Sequence, residues 1–197
     1  MHLCRRNGNA KRCKLQRPIA IPVVKNYSVI NRIKAFVIDY LIIITYAALL
    51  FGISLLISKI FHLDINNVDP LTGELTGFIT LTLPVILYFT LSENSSYAAT
   101  VGKRKFQLYV TKKDKHKAGF VNLLIRNCIK FLPWELAHFF IYRLIGFTSE
   151  EEQVPASILT GLIVSQVLAV IYLLFILFTK NNRSIYELIS GTMVIKK

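Results

Sequence analysis

The sequence predicts an all-α membrane protein with four transmembrane helices and a small cytoplasmic two-stranded β element. Hydrophobic residues make up 53% of the chain, and the mean hydropathy is +0.49. Apolar segments of near-bilayer length recur within its 197 residues, which a soluble domain of this size does not need. Basic residues cluster between these segments, as they do when Lys and Arg flank membrane spans on the cytoplasmic side.

The chain divides into a tail and a membrane domain. Residues 1–26 are polar and basic and show no helical period, which predicts a flexible N-terminal tail. Residues 27–197 form the predicted transmembrane domain. We expect no cleavable signal peptide, because the first apolar run is about 24 residues long and contains an aspartate. The three cysteines are expected to be free thiols.

The first predicted span, residues 35–58, contains Asp39, and Arg32 lies two helical turns before it. Seven residues advance about 10 Å along a helix and return to nearly the same face. A carboxylate in a membrane span is costly and normally faces the bundle interior, where it finds a partner. Asp39 is therefore either a cation or proton site, its charge held by Arg32, Arg126 or Arg183, or a hydrogen-bonded carboxylate that locks helix packing.

The second predicted span, residues 75–95, has Pro84 inside it, which predicts a kink. The stretch before it, residues 59–74, has three acidic residues against one lysine and loop-forming Asn and Pro residues. This composition suits an outer loop.

Two short segments are predicted to pair as strands beneath the membrane. Within the basic stretch 100–118, apolar residues alternate over 105–110, which indicates a strand, and 112–117 is expected to be the turn after it. Residues 191–195 supply the predicted partner strand.

Residues 119–130 fit two descriptions equally well. Their apolar face predicts either an amphipathic helix in the inner interface or the start of the third span. That span, residues 131–147, contains Glu135, His138 and Arg143, so a surface or re-entrant helix competes with a crossing one. Glu135 and His138 lie three residues apart, but two ligands are too few to predict a metal site.

The fourth predicted span, residues 156–178, is the most apolar, and an acidic run at 150–152 precedes it. All but Lys59 and Arg143 of the 24 basic residues fall on the inner side if both termini are cytoplasmic. A three-span arrangement would place the acidic run and the basic loop on the same side, which the positive-inside rule disfavours.

The charge of +13 does not predict a nucleic-acid binder, because the basic residues alternate with apolar segments. Anionic lipid headgroups are the expected partners of these residues. No nucleophile–base–orienter set appears, so we expect neither an enzyme nor a cofactor. Thr100, Gly102 and Lys103 lack the rest of a nucleotide-binding motif and predict a turn entering a strand.

Three motifs occur in order along residues 28–195. The first is Arg32-Ile-Lys-Ala-Phe-Val-Ile-Asp39, the second is Thr100-Val-Gly-Lys, and the third runs from Arg183 through Glu187 to Gly191 and Thr192. With this order and spacing, the chain resembles the RDD family of bacterial membrane proteins, named for one arginine and two aspartates. In two places it departs from the family pattern. Glu187 stands where the family has its second aspartate, and Arg183 lies four rather than five residues before it.

The resemblance implies a multi-pass protein of the bacterial plasma membrane, and some similar proteins have been proposed to take part in sodium–proton exchange. Two functions follow as hypotheses. In the first, the protein transports small cations or protons through Asp39, as a homo-oligomer because four spans leave little room for a pathway. In the second, it is a non-transporting accessory protein whose basic face recruits lipids or proteins. Arg183 and Glu187 can pair at their i,i+4 spacing, or Glu187 can dock against Arg32 or Lys103.

Overall fold

A computed structural model describes residues 29–62, 69–147, 153–179 and 182–196. The predictions for the tail at 1–26 and the acidic run at 150–152 lie outside these ranges. The described chain is mostly helical with one small sheet. In chain order its elements are α1 (Val29–Phe61), α2 (Pro70–Gly77), a π-helical turn (Phe78–Thr82), α3 (Leu83–Asn94), α4 (Val101–Lys105), β1 (Leu108–Lys112), α5 (Phe120–Ile145), α6 (Ala156–Phe178), α7 (Ile185–Ile189) and β2 (Thr192–Lys196).

Three helical segments are long and apolar enough to cross a membrane: Val29–Phe61, Pro70–Asn94 and Ala156–Phe178. They contain the first, second and fourth predicted spans. The third predicted span lies in α5, which is not among the three although it has 26 residues. The reason is composition, because α5 carries two arginines, a lysine and a glutamate among its apolar residues.

A separate interfacial helix at 119–130 was one of two alternatives, and it is wrong. Phe120–Ile145 is one continuous helix, so the helix that contains most of the third predicted span begins at Phe120 rather than at residue 131. The buried positions of α5 are Leu123, Arg126, Asn127 and Pro133, which follow helical spacing across the expected junction. One face of the helix therefore packs on both sides of that junction.

The second span changes its winding near Pro84. Asp69 caps α2 by accepting a 3.1 Å hydrogen bond from the backbone N–H of Thr72, so the expected loop ends five residues earlier than its predicted end. The π-helical turn then separates α2 from α3, with Pro84 in the first turn of α3. Proline leaves the carbonyl of Thr80 without its α-helical donor, and the hydroxyl of Tyr46 in α1 donates to that oxygen at 2.6 Å.

The predicted strand pair is present and antiparallel. Leu108 pairs with Lys196 and Lys112 with Thr192. The first strand starts at residue 108 rather than 105, because the segment before it forms the short helix α4 instead of the expected simple turn. Gly191 turns the chain from α7 into β2 at φ +67°, a conformation that favours glycine.

The sheet lies at one end of the helices. Arg32 near the start of α1 bonds to α7, and Asn122 near the start of α5 donates a 3.0 Å hydrogen bond to the carbonyl of Ser190. Glu93, at the end of α3, meets the same end of α5. Apolar side chains bury the junction: Ala35, Leu108, Val110, Ala118, Leu123 and Val194. We refer to this end as the sheet end.

Candidate functional site

Six ionisable side chains converge at the sheet end and form what we call the sheet-end cluster. They come from α1, α3, α4, α5 and α7, so the cluster joins elements that are far apart in the chain. Its members are Arg32, Asp39, Glu93, Lys103, Arg126 and Glu187. The three carboxylates are almost fully buried, as is Arg126. Buried charges require partners, and the contacts below supply them.

Asp39 is held by two neutral donors from α4 and its cap. The hydroxyl of Thr100 donates to Oδ2 at 2.6 Å, and the backbone N–H of Gly102 donates to Oδ1 at 2.8 Å. Among the described residues, no Lys, Arg or His nitrogen lies within 4.0 Å of this carboxylate. The structure therefore does not bring Asp39 to Arg32, Arg126 or Arg183, the partners that the sequence suggested.

The Thr-x-Gly motif has a physical reason at both positions. Thr100 caps α4, because its side chain accepts a hydrogen bond from the backbone N–H of Lys103 while its hydroxyl reaches Asp39. Gly102 lies directly against α1. A Cβ atom there would stand 2.1 Å from the carbonyl oxygen of Ala35 and 2.9 Å from Cγ of Asp39. Only glycine permits this close approach of the two backbones.

Glu187 joins α7 to two other helices. Its Oε1 accepts hydrogen bonds from Arg32 Nη1 and from Arg126 Nη2, both at 3.2 Å. It also completes the cap of its own helix, accepting from the backbone N–H of Ser184 at 3.4 Å. Glu187 thus contacts Arg32, one of the two partners suggested for docking, and not Lys103.

Lys103 instead pairs with Glu93. Its amine donates to one carboxylate oxygen of Glu93, and Arg126 Nε lies 3.4 Å from the other. Burial lowers the pKa of the Lys103 amine, whereas the negative charge of Glu93 raises it. Arg126 therefore sits between two buried carboxylates, Glu93 and Glu187, and connects the two halves of the cluster.

Arg183 holds the turn between α7 and β2. Its Nη2 donates to the carbonyl of Thr192 at 2.8 Å and to the carbonyl of Glu187 at 3.3 Å. The predicted side-chain pair with Glu187 is thus replaced by contacts to backbone oxygens. The Thr192 hydroxyl accepts a 2.8 Å hydrogen bond from Arg126, so the Gly191-Thr192 motif connects the sheet to the cluster.

Sequence reasoning missed two members of this network. Glu93 is buried to 1% exposure, and Asn127 donates to it at 3.3 Å and to Thr90 at 3.3 Å. Glu93 could have been found from the sequence, because it is a carboxylate within the second predicted span. The cost of a carboxylate in a membrane span, which singled out Asp39, applies to it as well. Asn127 gave no comparable signal in the sequence.

Polar contacts also run along the interface between α5 and the α2–α3 segment. Arg143 Nη1 donates to Glu74 at 2.8 Å, the Thr82 hydroxyl donates to Glu135 at 2.7 Å, and Asn127 bonds Thr90 as described. Successive contacts are eight residues apart on both partners, or about 12 Å of helix. We call them the outer, middle and inner rungs. Each polar side chain of α5 in these rungs thus faces a polar partner.

The middle rung includes the only close contact between a histidine side chain and a carboxylate among the described residues. His138 Nδ1 lies 3.9 Å from Glu135, one turn away on the same helix. Within the described ranges, no group of three or more His, Cys, Asp or Glu side chains is arranged to hold a metal ion.

Apolar helices of membrane-spanning length, joined at one end by buried ion pairs, define an integral membrane protein. A family model described as "RDD family" matches residues 27–191, which is most of the chain, and the protein therefore belongs to the RDD family. The match includes Arg32, Asp39 and Glu187. No curated protein and no solved structure matches the chain.

Proposed function

We propose that this RDD family protein crosses the plasma membrane four times and moves protons or small cations, with Asp39 as the titratable group. The observation that carries the proposal is the environment of Asp39. A carboxylate with 2% exposure, inside a helix long and apolar enough to span a membrane, is held by a hydroxyl and an amide N–H. An ionisable residue at such a position is a functional candidate by default.

The hydroxyl of Thr100 suits both protonation states of Asp39. It donates to the carboxylate, and because a hydroxyl also accepts hydrogen bonds, it can accept one from the protonated acid. An arginine partner would hold the carboxylate ionised at every working pH, since arginine keeps its charge. Because both donors to Asp39 are neutral, a bound proton or small cation would supply the charge that an arginine would otherwise supply.

The rungs support a fourth crossing by α5. Its 26 residues extend for about 39 Å, longer than the bilayer core of about 30 Å. Arg126, Lys130, Glu135 and Arg143 make this helix too polar to qualify by hydropathy. Arg126, Glu135 and Arg143 bond to polar partners within the protein, and the Lys130 ammonium lies 3.5 Å from the centre of the Phe89 ring of α3. Charges that face the bundle interior are compatible with a membrane span.

The distribution of basic residues orients the protein. With the sheet end in the cytoplasm, Lys59 and Arg143 are the only basic residues at the opposite end among those that the structure describes. The positive-inside rule then places both termini in the cytoplasm, and the basic face meets anionic lipid headgroups. Transport by a protein of four spans would use an oligomer, because a single bundle of this size has little room for a pathway.

A flux assay with a matched pair of variants tests the function. Wild-type protein in liposomes should move protons in response to a sodium or potassium gradient. Asp39→Asn should reduce the flux at least tenfold while keeping the fold, because the amide oxygen can still accept from the N–H of Gly102 and the amide NH2 can donate to the hydroxyl oxygen of Thr100. Asp69→Asn, the same substitution at an exposed helix cap, should keep wild-type flux. Full flux in folded Asp39→Asn would contradict the proposal.

An accessory or assembly protein is the second candidate. It is favoured by Arg32 and Glu187, two family-motif residues whose contacts within the chain attach α7 and the sheet to the helices. Such a role requires no ion movement. Wild-type liposomes without flux, together with a partner that co-purifies in stoichiometric amount and is lost on Glu187→Gln, would support this candidate over transport.

A further inference from the structure

We propose that Glu135, with Thr82 and His138, forms a second proton- or monovalent-cation-binding site at the middle rung. This inference rests on the proposed function because it extends the route of the ion from the sheet end toward the middle of the membrane. In the described structure, the Thr82 hydroxyl donates to Glu135 Oε2 at 2.7 Å and His138 Nδ1 lies 3.9 Å from the same oxygen.

The three glutamates at the interface between α5 and the α2–α3 segment have different partners. Glu74 of the outer rung bonds to Arg143 at 2.8 Å, and Glu93 near the inner rung is held by Lys103 and Arg126. Glu135 has a hydroxyl and an imidazole instead of a permanent cation. Among the described residues, no Lys or Arg nitrogen lies within 4.0 Å of Glu135, so a bound proton or cation would supply its compensating charge.

The charged surroundings of Glu135 are sparse on every side. Its own helix contributes His138 and, one turn further, the hydroxyl of Tyr142. The π-helical turn contributes only hydroxyls near it, and α6, which packs along α5, contains no Asp, Glu, Lys, Arg or His. The outer-rung ion pair, Glu74 with Arg143, is about two helical turns away along α5.

The local backbone is built to present Thr82. This residue closes the π-helical turn, in which the N–H of Leu83 bonds to the carbonyl of Phe78, and its side chain is only 2% exposed. Such turns are frequent at functional sites because the extra residue redirects side chains and backbone oxygens. Glu135 itself keeps 26% side-chain exposure, so the carboxylate faces a buried hydroxyl on one side and remains accessible on another.

This arrangement permits a simple proton exchange. Protonated Glu135 can donate to the hydroxyl oxygen of Thr82, and once the proton has left, the carboxylate accepts from that hydroxyl as it does in the structure. A small monovalent cation can replace the proton, because carboxylate and hydroxyl oxygens are ligands for hard cations. Proton and cation therefore compete for the same oxygens.

Carbodiimide labelling tests the site without relying on transport. Dicyclohexylcarbodiimide reacts with protonated carboxyl groups in apolar surroundings, and mass spectrometry locates the adduct. We expect wild-type protein in liposomes to be labelled at Glu135 at least fivefold more than at Glu74 or Glu93, with labelling falling as the pH rises from 5 to 9. Protection by sodium but not by choline at fixed pH would assign a cation, and pH dependence alone would assign a proton.

Two variants and a flux measurement separate the possible outcomes. Thr82→Val should shift the pH of half-maximal labelling, whereas Thr82→Ser, which keeps the hydroxyl, should not. Labelling of Glu135 equal to that of Glu74 and Glu93, or a pH midpoint unmoved by Thr82→Val, would overturn the site. Specific labelling of Glu135 without ion flux would support the second site and refute the proposed transport. Ion flux without labelling of Glu135 would support transport and refute the second site.

Discussion

Arg126 offers the sharpest test of the sheet-end cluster. Arg126→Met removes a guanidinium that lies 3.4 Å from Glu93, 3.2 Å from Glu187 and 2.8 Å from the hydroxyl of Thr192. Methionine fills much of the same volume but donates no hydrogen bond. The variant therefore leaves two buried carboxylates with fewer partners and should destabilise the protein.

The expected size of this effect follows from burial. Breaking a buried ion pair costs about 3–5 kcal/mol, because a charge is left without full compensation. Lys103 still pairs with Glu93 and Arg32 with Glu187, so we expect the lower end, about 3 kcal/mol. For a chain of this length, that corresponds to a fall in Tm of about 6–12 °C.

The matched control is Arg143→Met in the same helix. Arg143 pairs with Glu74 at 2.8 Å, but their side chains keep 32% and 18% exposure. A partly exposed pair contributes about 0–1 kcal/mol, or less than about 4 °C in Tm. Thermal unfolding in detergent, followed by the fluorescence of the single tryptophan, Trp134, measures both variants. Equal shifts, or a larger shift for Arg143→Met, would refute the reasoning.

Further predictions concern the contacts between α1, α4 and the second span. Gly102→Ala should sharply lower the yield of folded protein, because the added Cβ would stand 2.1 Å from a backbone oxygen of α1. The control Gly52→Ala should be neutral in a detergent-stability assay, because nothing lies within 4 Å of its added Cβ. Thr100→Val removes both the cap of α4 and the bond to the α1 carboxylate, so it should lose about 1–3 kcal/mol relative to Thr100→Ser in thermal unfolding. Tyr46→Phe removes the donor to the carbonyl of Thr80 and should lower Tm by a few degrees, about 0.5–1.5 kcal/mol in stability, with normal expression.

The membrane helices could be predicted where one physical signal dominates. Length and apolarity identified α1, the second span and α6, and alternation of side chains identified the strand pair. α5 was harder, because its polar residues weaken the apolar signal and their partners lie far away in the chain, as with Glu135 and Thr82. Its continuity across residue 130 became visible only once the packed face was known.

The candidate site was predicted in part: Glu93 and Asn127 were missed, and of the suggested pairs the structure has Arg32 with Glu187. Arg32 and Asp39 stood out as charges in or near an apolar segment, and Glu187 stood out through the resemblance to the RDD family motif. Their partners depend on how α4 and α7 pack, which local sequence does not determine. Asp39 consequently meets a hydroxyl and an amide N–H rather than an arginine, and Glu93 takes Lys103.

The central claim is that α5 crosses the membrane with its polar side chains turned toward the second span. Single cysteines at Lys115 and Gln153, on either side of α5, in a background where the native cysteines are serine, test it most directly. In intact cells, a membrane-impermeant maleimide should label Gln153→Cys and should label Lys115→Cys only after the cells are opened. Labelling of both positions from the same side would contradict the account.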